Sequence, residues 1–150
     1  MRGKLVKYWL PVFVWMALIF SASTDLLSTQ NTSRFLGPLL RRLVPGITDE
    51  AVRVVQFSIR KTCHALEYAV LALLLWRARR EPVANDPRPW SAADARWAVL
   101  VSALYATTDE VHQALVPSRQ GSVADVLLDT GGATLGILCL WHLGRRRNEW

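Results

Sequence analysis

The chain has 150 residues, of which 51% are hydrophobic and 20% charged, and 18 Lys and Arg against 12 Asp and Glu give it a formal net charge of +6. This composition fits one domain and excludes a disordered or acidic chain, while two cysteines are too few for a disulfide scaffold. A basic helical domain in water and a small membrane protein both remain compatible with it, because nucleic acid and anionic lipid both attract basic residues.

Four stretches poor in charge follow one another along the chain and predict helices over about 8–23, 62–78, 96–116 and 122–143. None is an uninterrupted apolar run of about 20 residues, the usual length of a membrane span. However, the polar residues gather at the C-terminal ends of the first and third helices and at the N-terminal ends of the second and fourth. If consecutive helices are antiparallel, all four polar ends lie on one side, whereas a bundle in water would carry polar stripes along each helix. We therefore predict an all-α integral membrane four-helix bundle with a polar pocket at one face.

The distribution of basic residues predicts the orientation of this bundle. Eleven of the 18 basic residues flank the side that holds both termini, which favours N-in/C-in, a multi-pass location in the cytoplasmic membrane and a pocket on the extracytoplasmic side. The first segment also resembles a cleavable signal peptide, with small residues at Ser21-Ala22-Ser23. Its Trp9, Trp15 and Pro11 favour a retained span instead.

The longest predicted connection, 24–61, contains an amphipathic helix over about 48–60. Thr48 is suited to cap its start, and apolar residues recur at i, i+3 and i+7. This helix would lie on the outer leaflet or pack on the bundle. In the fourth predicted helix, Gly132 and Gly136 have the spacing that lets two helices approach closely, so we interpret them as packing positions.

The polar ends contain the candidate functional residues. His64, Glu67 and Tyr68 share one face of the second helix at i, i+3 and i+4 spacing. Ionisable groups at membrane depth are costly and usually mark function. The residues suited to proton transfer are His64, Glu67, Asp109, Glu110 and Asp125, and those suited to ligand binding are Lys61, Tyr68, Gln113, Arg119 and Asp129.

Structural explanations compete with these assignments. Ser122-x-x-Asp125 has the form of a capping box, in which Asp125 would only secure a helix start. Arg119 could pair with Asp109 or Asp125 to offset buried charge. His64 and Glu67 could form a local polar pair.

The combined motifs resemble the VanZ-like family. They are Lys61-x-x-His64-x-x-x-Tyr68, Asp109-Glu110-x-x-Gln113, Pro117-x-Arg119-x-Gly121-Ser122-x-x-Asp125, and Gly132 with Gly136. The resemblance implies a small bacterial integral membrane protein, and the family's founding member is associated with low-level resistance to the lipoglycopeptide teicoplanin, without a settled biochemical mechanism. Two positions depart from the family pattern: Asp129 replaces the usual Asn, and Ser118 the usual Gly. The extra carboxylate changes the charge of the predicted pocket.

The leading functional hypothesis is a site that handles or binds an extracytoplasmic lipid or cell-envelope headgroup. Lys61 and Arg119 would hold an anionic group such as phosphate, and the expected partners are membrane lipid and, through the resemblance, a cell-wall precursor or glycopeptide. No nucleic-acid signature and no zinc-binding spacing is present, and the sequence names no cofactor. The alternatives are a proton or solute pathway and a non-catalytic binding protein. Lipid and precursor profiling of cells that express wild type, Glu67→Gln and Asp109→Asn would separate an enzyme from a binding protein.

Overall fold

A computed structural model describes residues 2–23, 29–83, 86, 88–116 and 121–147. Five helices and no strand occur in these residues, which confirms the all-α class. Helix α1 begins with a turn at Arg2–Lys4, continues as a π-helical segment at Leu5–Trp9, and runs as an α-helix over Leu10–Ala22. Pro11 lies in the first turn of the regular α-helix, just after the π-helical segment, and has no amide hydrogen to donate to the Lys7 carbonyl four residues earlier; that carbonyl accepts from Arg77 Nη1 at 3.2 Å instead.

The predicted outer loop is mostly helical. Helix α2 covers Thr29–Leu43 with Pro38 inside it, and α3 covers Asp49–Arg80 as one helix of 32 residues. The separate predictions over 48–60 and 62–78 are therefore joined into a single rod of about 48 Å, at 1.5 Å per residue. The predicted cap at Thr48 is present, since its hydroxyl accepts a hydrogen bond from the Ala51 amide at 3.2 Å.

The two remaining helices each begin at a serine cap. Helix α4 covers Ala92–Ala114 after Ser91, and α5 covers Val123–Arg146 after Ser122. The Ser122 hydroxyl accepts from the Ala124 amide at 3.2 Å, but the Asp125 carboxylate pairs with Lys61 of α3. The Ser122 amide donates instead to Glu110 at 2.8 Å. The capping-box explanation of Asp125 is thus wrong, because a different carboxylate satisfies the amide of the cap residue.

Helices α3, α4 and α5 pack against one another, α1 packs against α3, and α2 makes its contacts with α3. Several side-chain hydrogen bonds hold α1 in place. For example, Trp15 Nε1 donates to the Glu67 carbonyl at 2.9 Å, and Tyr105 Oη donates to the Met16 carbonyl at 2.7 Å. The core between the helices consists of apolar residues such as Leu71 and Ala98, both fully buried.

Helices α3 and α5 approach each other closely at the glycine pair of α5, Gly132 and Gly136. A Cβ at Gly132 would lie 2.1 Å from the Ala65 carbonyl oxygen, and one at Gly136 would lie 2.9 Å from that of Ala69. Glycine is required here because the backbones of α3 and α5 leave no room for a side chain. The structure thus supports the interpretation of both glycines as packing positions.

The outer surface of the helices is rich in large apolar side chains. Examples on α1, α4 and α5 are at least half exposed: Leu18, Leu100, Leu104, Leu127 and Leu135. Within the described residues, Leu5–Ala22 of α1 and Val123–Arg146 of α5 are long and apolar enough to cross a membrane. The first of these lies near the N-terminus, where a signal sequence has the same properties.

The connection between α3 and α4 contains a charge pair that makes the stability depend on pH. Arg88 donates to Asp86 through Nε at 2.8 Å and Nη2 at 2.5 Å, and these hydrogen bonds lower the pKa of Asp86 from 3.8 to about 2. Because the pKa is lowered in the folded state, the stabilisation is complete above the ordinary carboxyl pKa and is lost as the pH falls toward 2. The melting temperatures of wild type and Arg88→Gln should therefore converge between about pH 4 and pH 2. A gap that stays constant over this range would contradict the assignment.

Candidate functional site

Polar side chains from four helices meet at one end of the structure. We call this group the polar cluster, and its residues are Ser23, Lys61, His64, Glu67, Tyr68, Asp109, Glu110, Gln113, Ser122, Asp125 and Asp129. Five of them carry carboxylates and one is a lysine, so the described cluster is acidic.

The centre of the polar cluster is a hydrogen-bonded network on α4. Gln113 Nε2 donates to Asp109 Oδ2 at 3.0 Å and to Glu110 Oε1 at 3.2 Å. From the end of α1, Ser23 Oγ donates to the same oxygen of Asp109 at 2.8 Å. All four residues are at least 96% buried. Their spacing of one helical turn places the three α4 side chains on one face, where the network links α1 to α4.

Glu110 also connects α4 to the start of α5. Its Oε2 accepts the Ser122 backbone amide at 2.8 Å. Gly121 precedes that amide and lies against the Glu110 backbone, since a Cβ there would be 2.3 Å from the Glu110 carbonyl oxygen. The small residue lets the chain approach closely enough for the carboxylate to bind the first amide of the helix cap.

Two pairs of polar side chains form the partly exposed edge of the polar cluster. Lys61 pairs with Asp125 across α3 and α5, and their side chains are 22% and 20% exposed. His64 Nδ1 lies 3.9 Å from Glu67 Oε2 within α3. Lys61 Nζ also lies 5.3 Å from the ring centre of Phe57, a distance suited to a cation–π contact. Lys61 thus holds a positive charge at the edge of an otherwise acidic group.

Two side chains lie deeper and make no hydrogen bond with the described part of the chain. Asp129 is fully buried and neither carboxylate oxygen has a partner, and the hydroxyl of the fully buried Tyr68 also lacks one. Asp109 Oδ1 is a further buried oxygen without a partner. Buried polar groups are normally hydrogen-bonded, so each of these atoms requires an explanation.

The structure brings together nine of the ten residues selected from the sequence. His64 and Glu67 form the expected local pair at the edge, while Asp109, Glu110 and Gln113 form the buried network. Arg119, predicted to hold an anionic group together with Lys61, is outside the described residues, as is Ser118. The polar pocket itself stays a prediction.

Sequence reasoning missed two contributors. Ser23 was grouped with the polar end of α1 and with a cleavage-site pattern, but its hydroxyl is a donor to Asp109. The Ser122 amide was assigned to a capping box, but it binds Glu110. The signal for Ser23 was present in the sequence, since a serine at the polar end of an apolar helix needs a polar neighbour on another helix when buried.

Among the described residues, no group of three or more His, Cys, Asp or Glu side chains has the arrangement to hold a metal ion. What the cluster does offer is one cationic side chain at its edge and several buried acceptor oxygens, an arrangement suited to polar or charged ligands.

The fold and the polar cluster define a class: a small all-helical protein with an apolar outer surface, two helices able to span a membrane and a buried polar group at one end. The sequence model of the VanZ/LLP1 family matches residues 8–144, so the chain belongs to this membrane-associated family. No curated protein and no solved structure matches the chain.

Proposed function

We propose that this protein crosses the cytoplasmic membrane four times and uses the polar cluster, on the extracytoplasmic side, to bind the headgroup of a lipid or cell-envelope molecule. The four spans are α1, the C-terminal part of α3, α4 and α5. The observation that carries this proposal is the separation between the polar cluster and the basic end of the same helices.

This separation matches the thickness of a bilayer. At 1.5 Å per residue, Lys61 and Arg77 lie about 24 Å apart along α3, and Asp125 and Arg145 about 30 Å apart along α5. The hydrocarbon core of a membrane is about 30 Å thick. The cluster and the basic residues therefore suit opposite interfaces, with the exposed leucines between them facing lipid.

The basic end of the helices has the composition of a membrane interface. Arg77 lies over the ring of Tyr8, Arg79 over Trp97, and Arg80 over Trp76, at 4.8 to 5.5 Å. Amphipathic aromatic rings favour the headgroup level, and basic side chains favour the cytoplasmic side. This arrangement supports the N-in/C-in orientation.

Lys61 is the cluster residue best suited to an anionic headgroup. An ammonium has three donors, and the pairing with Asp125 uses one of them. Its partial exposure leaves the others accessible from the side of the cluster. Such a site would bind a phosphate-bearing lipid or precursor, which agrees with the teicoplanin association of the family's founding member.

The proposal can be tested with a phosphatidylglycerol probe that carries a photoreactive diazirine in its headgroup. Full-length protein in phosphatidylcholine nanodiscs containing this phosphatidylglycerol probe should yield crosslinks near both Lys61 and Arg77. We expect Lys61→Gln to reduce the crosslinks near residue 61 about tenfold, because a charge-assisted hydrogen bond is lost.

Lys7→Gln is the matched control. Lys7 lies at the opposite end of the structure, 4.9 Å from the ring centre of Tyr8, so its loss should affect only the crosslinks at the basic end. Unchanged crosslinking near residue 61 in Lys61→Gln, with mass spectrometry as the readout, would overturn the proposal.

A further inference from the structure

Three acidic side chains at the basic end of the helices form ion pairs with three basic ones. The pairs are Lys4 with Glu81, Arg79 with Asp94 and Arg88 with Asp86, at N–O distances of 2.5 to 2.7 Å. Lys7 and Arg77 differ from these residues, because neither pairs with a carboxylate in the stretches that the structure describes. The positive charge of these two side chains is therefore available to an external anion.

Lys7 and Arg77 lie next to each other, although one belongs to α1 and the other to α3. Arg77 Nη1 donates to the Lys7 carbonyl at 3.2 Å. Lys7 Nζ lies 4.9 Å and Arg77 Cζ 5.0 Å from the ring centre of Tyr8, which are cation–π distances. The two charges are therefore at most about 10 Å apart. Their side chains are long enough to meet at one anion from these positions.

The local sequence holds this pair in place. Pro11 has no amide hydrogen for the Lys7 carbonyl, so that carbonyl can accept from Arg77. The Tyr8 ring beneath the two cations is 4% exposed, and its hydroxyl donates to the Pro82 carbonyl at 2.8 Å. Because the ring and the carbonyl are fixed before a ligand arrives, less conformational freedom is lost when one binds.

The surface of α1 beside this pair is apolar. Leu10, Phe13 and Val14 follow Lys7 along the helix and are 50% to 57% exposed. They belong to Leu5–Ala22, which is long and apolar enough to cross a membrane. A phospholipid could place its phosphate against the cations and its acyl chains along these side chains, whereas a free phosphate would gain nothing from them.

We propose that Lys7 and Arg77 form a binding site for the phosphodiester of an anionic phospholipid in the cytoplasmic leaflet. The ammonium and the guanidinium would each donate to a phosphate oxygen. A zwitterionic headgroup brings a cation of its own, which the pair repels, so the site selects a headgroup such as phosphoglycerol. This inference goes beyond the proposed function and shares with it only the crossing of the membrane.

The test compares two photoreactive lipids, phosphatidylglycerol and phosphatidylcholine, each with a diazirine at the same acyl carbon close to the glycerol. Full-length protein in phosphatidylcholine nanodiscs receives one or the other probe, and mass spectrometry locates the crosslinked residues. Near Arg77, the phosphatidylglycerol probe should label wild type about tenfold more than the phosphatidylcholine probe. Lys7→Gln and Arg77→Gln should each reduce this preference about fivefold, because one of two charges is lost.

Two control variants separate the pair from the general positive charge of this interface. Arg146→Gln removes an exposed cation at the basic end of α5 and should leave the preference near Arg77 unchanged. Lys7→Arg keeps the charge and should retain the preference, which distinguishes loss of the charge from damage to the fold.

Equal labelling by the two probes near Arg77 in wild type would overturn the inference. A loss in Arg146→Gln as large as in Lys7→Gln would also overturn it, because a diffuse surface potential would then explain the preference. Competition by inorganic phosphate, but not by sodium chloride of the same ionic strength, would assign the pair to a free anion and overturn the lipid assignment.

The outcomes also separate this inference from the proposed function. Labelling near residue 77 that depends on Lys7, with labelling near residue 61 that does not depend on Lys61, would overturn the proposed function alone. The reverse result would overturn only the site at Lys7 and Arg77.

Discussion

Replacing Gly132 by alanine should lower the free energy of unfolding by about 2 kcal/mol, although alanine is the better helix former. The added Cβ would lie 2.1 Å from the Ala65 carbonyl oxygen and 2.7 Å from its Cα. Both are backbone atoms, so α3 and α5 would have to move apart. Overpacking of this kind costs about 1–3 kcal/mol or more, which exceeds the gain of up to about 1 kcal/mol from helix propensity.

The adjacent glycine provides a control of opposite sign. A Cβ at Gly131 meets nothing within 4 Å, so Gly131→Ala should raise the free energy of unfolding by about 0.5–1 kcal/mol. Both variants can be measured by circular dichroism during titration of mixed micelles with a denaturing detergent. If Gly132→Ala were as stable as wild type, or Gly131→Ala equally destabilised, the close approach of the two helices would be wrong.

The second large effect is expected at Gln113, the donor that joins the two buried carboxylates of α4. Gln113→Met keeps the length of the side chain but removes the hydrogen bonds to Asp109 and Glu110. Glu110 Oε1 would be left without its donor, at about 1–3 kcal/mol, and Asp109 Oδ2, which keeps the bond from Ser23, would lose one hydrogen bond worth about 0.5–1.5 kcal/mol. We expect the free energy of unfolding to fall by about 2–4 kcal/mol.

Thr134→Val is the matched control, because it too removes a side-chain hydrogen-bond donor while keeping the shape of the side chain. The exposed Thr134 hydroxyl bonds only to the Thr130 carbonyl of its own helix, at 2.8 Å, and its loss should change the stability by no more than about 0.5 kcal/mol. Equal effects of the two variants would show that Gln113 is not a structural bridge.

The helices and the polar cluster were largely accessible from the sequence because they depend on local spacing. His64, Glu67 and Tyr68 share a face of α3, and Asp109, Glu110 and Gln113 share a face of α4, from helical periodicity alone. The glycine spacing likewise predicted the close contact in α5. Predicting these features required only the geometry of a helix and the antiparallel order of consecutive predicted helices.

Other features depended on longer-range structure or on a signal that was misread. No glycine or proline interrupts 49–80, so the continuity of α3 could have been predicted, but the change from an amphipathic to an apolar pattern suggested two elements. Helix α2 was not predicted, because Gly37 and Pro38 disfavour the interior of a helix. In the structure Gly37 is buried beside Gln56 of α3, which gives the helix a tertiary contact. The pairing of Asp125 with Lys61 depends on how α3 and α5 meet, and local spacing does not encode that.

The most direct test of the central claim determines on which side of the membrane the polar cluster lies. In a variant with Cys63 and Cys139 replaced by serine, single cysteines are introduced at Gln120, outside the described residues and next to the start of α5, and at Arg147 at its end. Intact cells are treated with a membrane-impermeant maleimide, before and after permeabilisation. The account predicts that Gln120→Cys reacts in intact cells and Arg147→Cys only after permeabilisation. The reverse pattern, or reaction of both positions from the same side, would contradict it.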